Sequence, residues 1–250
     1  DPSKSRGLGD VYKRQKPVSF LEDCAVELKD LAEYTDKLTA IFDRNGVKGT
    51  WYAHASVGCL HVRPVLNMKQ VGGAETMRAI AEEAFELVRS FGGSHSGEHG
   101  DGIVRSEFND RMFGPVLPDL FRQVKAMFDP QGMFNPGKIT DAPKMDDREL
   151  FRFAPGYEAE DFDSVLDWAA WPGAAGGFQG AVEMCNNNGA SRKLSGGVMC
   201  PSYRATRNER DAVRGRAYSL RLAMSGQLGL DAMASDAMAE TMKLCVSCKA

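Results

Sequence analysis

Apolar positions recur along the first half of the chain with two different periods. Residues 18–26 are rich in apolar residues and predict a strand. After them Leu28, Leu31, Leu38 and Ile41 fall at helical spacings, and Asn45-Gly46 supplies a stop after residue 44. Residues 49–53 and 59–65 read as two short strands joined by a tight loop. A strongly patterned helix is predicted over 75–91, with Met77, Ile80, Ala81, Ala84, Leu87 and Val88 on one face and Gly92-Gly93 as its end. The run 94–102 is too rich in glycine for a regular helix, and a further helix is predicted over 114–128, closed by Asp129-Pro130. From Asn135-Pro136-Gly137 to about residue 180 the chain is rich in Pro, Gly and acids and reads as a connection. Two more helices are predicted at 207–224 and 231–243. Strands with helices first and helices alone afterwards predict an α+β domain with an antiparallel sheet, then a small helical domain.

Composition narrows the function classes. The chain has 250 residues, 43% hydrophobic and 26% charged, with a net charge of −3. That apolar fraction excludes wholesale disorder, and no apolar run is long enough for a transmembrane segment. A slightly acidic balance argues against a general nucleic-acid binder. Six cysteines are too sparse for a disulfide scaffold, and with no signal peptide evident the expected compartment is the cytoplasm, with peripheral attachment at the inner membrane face as an option. Residues 1–15 lack periodicity and read as an artefactual leader. The domains expected are therefore 16–142, a linker over 143–180, and a truncated unit over 181–250.

All four histidines lie between positions 54 and 99. In His54-Ala-Ser-Val-Gly-Cys-Leu-His61 a helix would separate the two rings by about 10.5 Å, too far to share an ion. A hairpin centred between Val57 and Gly58 instead makes His54 and His61 direct cross-strand neighbours, with Cβ atoms about 5 Å apart, as two imidazoles on one divalent cation require. Arg63 projects from the same face. In Gly92-Gly-Ser-His95-Ser-Gly97-Glu98-His99-Gly-Asp-Gly102, Glu98 completes a set of two histidines and one carboxylate. His99 is expected to point elsewhere and to act as acid or base. His95 reads as a structural histidine.

Three ordered stretches carry a resemblance. Trp-Tyr-Ala-His54-Ala-Ser-Val-Gly-Cys-Leu-His61-Val-Arg63-Pro, Ser-Gly-Glu98-His99-Gly-Asp-Gly, and Phe128-Asp-Pro-Gln-Gly-Met-Phe-Asn135-Pro-Gly-Lys138-Ile resemble the C-terminal half of FAD-linked oxidases, the D-lactate, glycolate and D-2-hydroxyglutarate dehydrogenases, over residues 17–142. The resemblance implies FAD, bound mainly by a separate domain preceding this region. It implies a divalent metal, zinc or manganese, on His54, His61 and Glu98, and it makes His99 the base that takes the hydroxyl proton of a small 2-hydroxy acid. It places Arg63 at the substrate, with Arg105 a second carboxylate candidate, and Asn135 and Lys138 near the flavin.

Cys185, Met199-Cys200-Pro-Ser-Tyr-Arg and Cys245-Val-Ser-Cys248 resemble the iron–sulfur extension fused to some of these dehydrogenases, which implies a [4Fe-4S] centre passing electrons to a carrier or quinone pool. The ligand set is incomplete: Ser191 stands where the family has Cys, and the run begun by Cys245 is cut short, so the chain reads as an internal piece of a longer protein. Cys24 and Cys59 read as buried apolar residues. Arg204, Arg207, Arg210, Arg214, Arg216 and Arg221 read as a solvated face. Two rivals stand beside the dehydrogenase: a metal-dependent hydrolase with His99 as base, and a non-catalytic electron-transfer subunit.

Overall fold

The computed structural model describes residues 16–153, 157–158, 165–168, 177–183, 185, 189–196, 200–229 and 231–248. The leader expected at 1–15 lies outside them. Two compact units result, one of residues 15–156 and one whose described residues begin at Tyr157.

In the first unit, β1 (Lys16–Pro17), β2 (Leu21–Ala25), β3 (Gly49–His54) and β4 (Cys59–Leu66) form one antiparallel sheet. β4 is central, pairing with β3 along one edge and with β2 and β1 along the other. Alternation along β4 sends Leu60, Val62 and Leu66 into the core and turns Cys59, His61 and Arg63 to the opposite face. Two helices, α1 (Leu31–Arg44) and α2 (Gly72–Ser90), supply most of the rest of that core, with Phe20, Val26, Phe108 and Met145 from the connections. On α1 the buried residues Tyr34, Leu38, Ile41 and Phe42 form a single stripe, and on α2 Met77, Ile80, Ala81, Ala84, Phe85 and Val88 do the same. Asn45 stops α1 by donating from its side chain to the Ile41 carbonyl at 2.9 Å. The predicted helix over 114–128 is α4 (Val116–Phe128), and an unpredicted short helix α3 (Asn109–Phe113) precedes it, the two separated at Gly114-Pro115, where Gly114 takes φ +71°.

The expected linker begins too early. Arg78 on α2 reaches Glu82, Glu107 and Asp146, and Glu107 accepts the Met145 N–H at 2.6 Å. Met145 is buried in the first core, so the strapped segment belongs to that unit.

The second unit is helical, as its sequence pattern predicts: α5 (Gly177–Val182), α6 (Pro201–Thr206), α7 (Val213–Met224) and α8 (Asp236–Met242). The helix expected from residue 207 starts only at Val213, because Asn208 caps a short turn through Asp211 and Ala212 is extended. Arg216 and Arg221 are buried, contrary to the solvated face expected of them. Arg216 donates to the Asp211 carbonyl at 2.7 Å, the Thr241 carbonyl at 3.0 Å and the Ser202 hydroxyl at 3.2 Å, so its charge is satisfied inside the unit. No helix among the described residues is long and apolar enough to cross a membrane.

Candidate metal and substrate site

The turn between β3 and β4 decides where the two histidines meet. Residues 55–57 form one short helical turn and Gly58 follows at φ +70°. The pairing is therefore His54 with Cys59 and Tyr52 with His61, not His54 with His61 as the two-residue turn predicted. A shift of two positions preserves the face, so His54 and His61 become diagonal neighbours on one surface. Their ring centroids lie 5.1 Å apart. At Gly58 a Cβ would stand 2.0 Å from the Val26 carbonyl oxygen, so only glycine lets the turn close against β2.

The glycine-rich run brings Glu98 and His99 onto the same surface. Ser94 pairs with Ala25 by two main-chain hydrogen bonds of 2.8 and 2.9 Å, and the Gly97 N–H donates to the Asp23 carbonyl at 2.7 Å. A Cβ on Gly97 would press at 3.1 Å on the Ala25 side chain, the Asp23 carbonyl oxygen and the Cys59 sulfur, so the residue before Glu98 has to be small. One carboxylate oxygen, Glu98 Oε1, ends 3.2 Å from His54 Nε2, 2.8 Å from His61 Nε2 and 3.3 Å from His99 Nε2. The structure corrects one expectation here. His99 does not point away from Glu98; its ring stacks on that of His61 at 4.5 Å and faces the same oxygen. Alternation does not apply to a loop, so sequence adjacency said nothing about direction.

A carboxylate oxygen has two lone pairs and cannot accept three well-aligned N–H donors. His61 shows the consequence: only 5% exposed, it has neither ring nitrogen in a hydrogen bond, although Nε2 is 2.8 Å from Glu98. Ligands about 2.0–2.1 Å from a tetrahedral ion sit about 3.3 Å from one another, and the Glu98 oxygen stands at about that spacing from each imidazole nitrogen. The unpaired buried nitrogen of His61, the Glu98 carboxylate and the His54 imidazole are the donors a divalent cation would use, with the His99 ring beside them. The ligand atoms that all converge on one another are those of Asp23, Cys59, His61 and Glu98, and His54 and His99 join that set through the Glu98 oxygen. Burial, and then the Asp23 carboxylate, push the Cys59 thiol up to about 12, whereas metals bind the thiolate.

The other expected site residues separate. Arg63 shares the histidine face, and Glu22 engages its Nε at 2.6 Å. Arg105 is buried: Nη1 donates to the Glu22 carbonyl at 2.8 Å and Nη2 to that of Gly100, so its fork serves main chain rather than a ligand's carboxylate. Asn135 and Lys138 lie on the turn after α4, joined by a 3.3 Å hydrogen bond. His95 is buried, with Nε2 3.2 Å from Asp101. Among the described residues Cys185, Cys200, Cys245 and Cys248 form no set of three converging ligand atoms. Cys200 is buried against the Asp211 carbonyl and Arg216, while Cys245 and Cys248 are exposed. Sequence reasoning missed Asp23, Glu22 and Tyr52. The only trace of the first two was a pair of acids interrupting an apolar run.

The fold and this cluster define an α+β domain whose sheet carries a histidine–carboxylate centre on the face away from its helices. Residues 3–139 match the family described as FAD linked oxidases, C-terminal domain, and the chain belongs to that family. The matched range begins within the segment read as a leader. The chain is 35% identical over 232 residues to a D-2-hydroxyglutarate dehydrogenase of Pseudomonas putida, covering 91% of this chain and 22% of that protein. It is 34% identical over 220 residues to the D-2-hydroxyglutarate dehydrogenase of Escherichia coli, covering 86% and 20%. A D-lactate dehydrogenase of Archaeoglobus fulgidus is 31% identical over 138 residues, covering 54% and 30%. The chain thus spans about a fifth of the length of the first two.

Proposed function

We propose that the chain forms the substrate and metal part of an FAD-dependent D-2-hydroxyacid dehydrogenase that oxidises a 2-hydroxyglutarate-like acid to its 2-oxo acid. One observation carries this reading: three imidazole Nε2 atoms meet on a single Glu98 oxygen in a domain of the FAD-linked oxidase family. His54, His61 and Glu98 would hold a zinc or manganese ion, which supplies the Lewis acidity that eases loss of an alcohol proton. FAD supplies the acceptor for the hydride of the α-carbon.

The remaining work falls to this chain's own side chains. His99, with Nε2 3.3 Å from Glu98 Oε1, would take the substrate hydroxyl proton as general base. Its stacking on His61 limits rotation of the ring, so the base and one ligand keep a fixed relation. Arg63 holds the substrate carboxylate. Glu22 anchors its Nε and leaves the terminal amino groups, among the described contacts, as the half of the fork for a ligand. Tyr52, its ring 5.9 Å from that of His61, walls the same surface. Asn135 and Lys138, on the turn after α4, would contact the flavin. The relatives' names favour 2-hydroxyglutarate as substrate. Among the described residues the cysteines of the second unit form no converging set for a [4Fe-4S] cluster.

The test uses the full-length protein loaded with FAD and manganese. Anaerobic D-2-hydroxyglutarate should bleach the flavin absorbance, and His99→Asn should slow the bleaching by about 100- to 10,000-fold. Bleaching at the parent rate in His99→Asn removes the base. No bleaching with 2-hydroxyglutarate, lactate or glycolate removes the reaction.

A further inference from the structure

The geometry points to Asp23 as the positioning residue of this site: its buried carboxylate, held with Arg105, fixes the main chain at Glu98 and His99 and so aims both side chains. The inference rests on the function above only for its catalytic consequence.

Asp23 is an extra residue in β2. The pairing with β4 slips between Glu22 and Cys24, and Asp23 takes φ 135°, a region L residues seldom adopt. The bulge turns an ionisable side chain, with no solvent exposure, under the glycine-rich run. There its oxygens accept the Glu98 N–H at 2.9 and 3.0 Å, the His99 N–H at 2.7 Å and the Ser96 hydroxyl at 3.2 Å, with the Cys59 thiol at 3.6 Å. Successive N–H groups closing on one anion form the concavity by which loops hold phosphates, and here the protein supplies the anion itself. Arg105 completes the clamp. Nη2 is 3.6 Å from Asp23 Oδ2, while the same guanidinium takes the carbonyls of Glu22 and Gly100. Bulge and loop are thus gripped through the amides of 98 and 99 on one side and the carbonyls of 22 and 100 on the other.

This explains how a run so rich in glycine presents a ligand and a base in one geometry. Glycines allow the close approach, but they favour no single conformation. The buried carboxylate selects one. Asp23 also lies within ligand distance of the cluster, yet both its oxygens are already taken by these donors, which makes it a support for the ligands rather than one of them.

The experiment compares Asp23→Asn with the parent 250-residue chain. An amide nitrogen in place of one oxygen would face N–H donors and cannot replace it as acceptor. In the metal-free chain, hydrogen exchange at the Glu98 and His99 amides should rise at least about 10-fold, with the amides of Leu38 and Ile80 unchanged. Affinity for manganese alone, read by electron paramagnetic resonance, should fall about 10- to 100-fold. Arg105→Lys, which keeps the charge and loses the fork, should loosen the same amides to a smaller extent. Unchanged exchange at Glu98 and His99 in folded Asp23→Asn overturns the inference, as does manganese affinity within about twofold of the parent. Should Asp23→Asn not fold, Ser96→Ala and Arg105→Lys take its place, and full protection of both amides in both variants overturns it equally. A parent chain that binds no manganese defeats the metal reading, while the exchange measurement still decides the role of Asp23.

Discussion

Gly58→Ala isolates the contact that sets the β3–β4 turn, and its cost follows from two distances. A methyl on residue 58 would lie 2.0 Å from the Val26 carbonyl oxygen, whereas carbon and oxygen rest about 3.3 Å apart. The two strands would have to part by more than about 1 Å. That opening breaks the hydrogen bond from the Val26 N–H to the Gly58 carbonyl, now 3.1 Å long, at a cost of about 1–3 kcal/mol for groups left unpaired. The left-handed backbone at φ +70° adds about 1 kcal/mol for any L residue. The sum is about 3 kcal/mol. Gly46→Ala is the control, since Gly46 has φ +66° and nothing within 4 Å of the added carbon, so it should lose only about 1 kcal/mol. Urea unfolding of the full chain, followed by Trp51 fluorescence with Trp168 and Trp171 changed to Phe, gives both values. With a slope of about 2 kcal/mol per molar urea, the two midpoints should differ by about 1 M. Equal midpoints would show that the turn does not press on Val26, and the diagonal placement of His54 and His61 would lose its cause.

Three further outcomes follow from the same structure. Lys125 first, then the main-chain N–H groups of Phe134 and Met133, hold the Asp129 carboxyl down at about 2. A depressed carboxyl stabilises the fold above its unfolded value of about 3.9 and loses that effect as pH falls through its folded value. Asp129→Asn should therefore lower the urea midpoint at pH 6, with the gap to the parent closing between about pH 4 and pH 2; a gap constant with pH would contradict the assignment. Ile80→Ala, at a fully buried position on α2, should cost about 3 kcal/mol, and Val57→Ala, largely exposed, less than about 0.5 kcal/mol, both by the same unfolding assay. Glu98→Gln should weaken manganese binding by about 100-fold, measured by calorimetry on the 250-residue chain, because it replaces the charged carboxylate on which three imidazoles meet with a neutral amide. Unaltered affinity would place the ion elsewhere.

What the sequence disclosed depended on whether a residue's direction follows from a period. Inside regular elements it does. The stop of α1 was written in Asn45-Gly46, and most of the core faces of α1 and α2 in spacings of three and four, though Leu28 lies before α1 and is exposed. The hairpin pairing was misplaced by two residues because a four-residue connection with a short helical turn replaced a tight one. His54 and His61 still share a face, since an even slip leaves every side chain on its own side. Outside regular elements the period is silent. His99 turned toward Glu98 rather than away, and the break at Asn208 and Ala212 shortened a helix that composition alone would have extended. In the second unit, charge suggested a wet surface for Arg216, yet its donors are spent on interior carbonyls that no pattern of apolar residues reveals.

Asp23 shows the limit most sharply, because its role comes from a defect in a period. In a regular β2, residues 22 and 24 would face opposite sides from 23, and an acid at 23 would enter the apolar core beside Leu60 and Val62. Burying a lone carboxylate there is prohibitively costly, so the strand accepts a bulge that rotates Asp23 onto the histidine face. The expense of the acid thus dictates the backbone irregularity, and the irregularity delivers an anion to the amides of Glu98 and His99. A residue that looks like an error in an apolar strand is in this way the one that gives the glycine-rich run its shape.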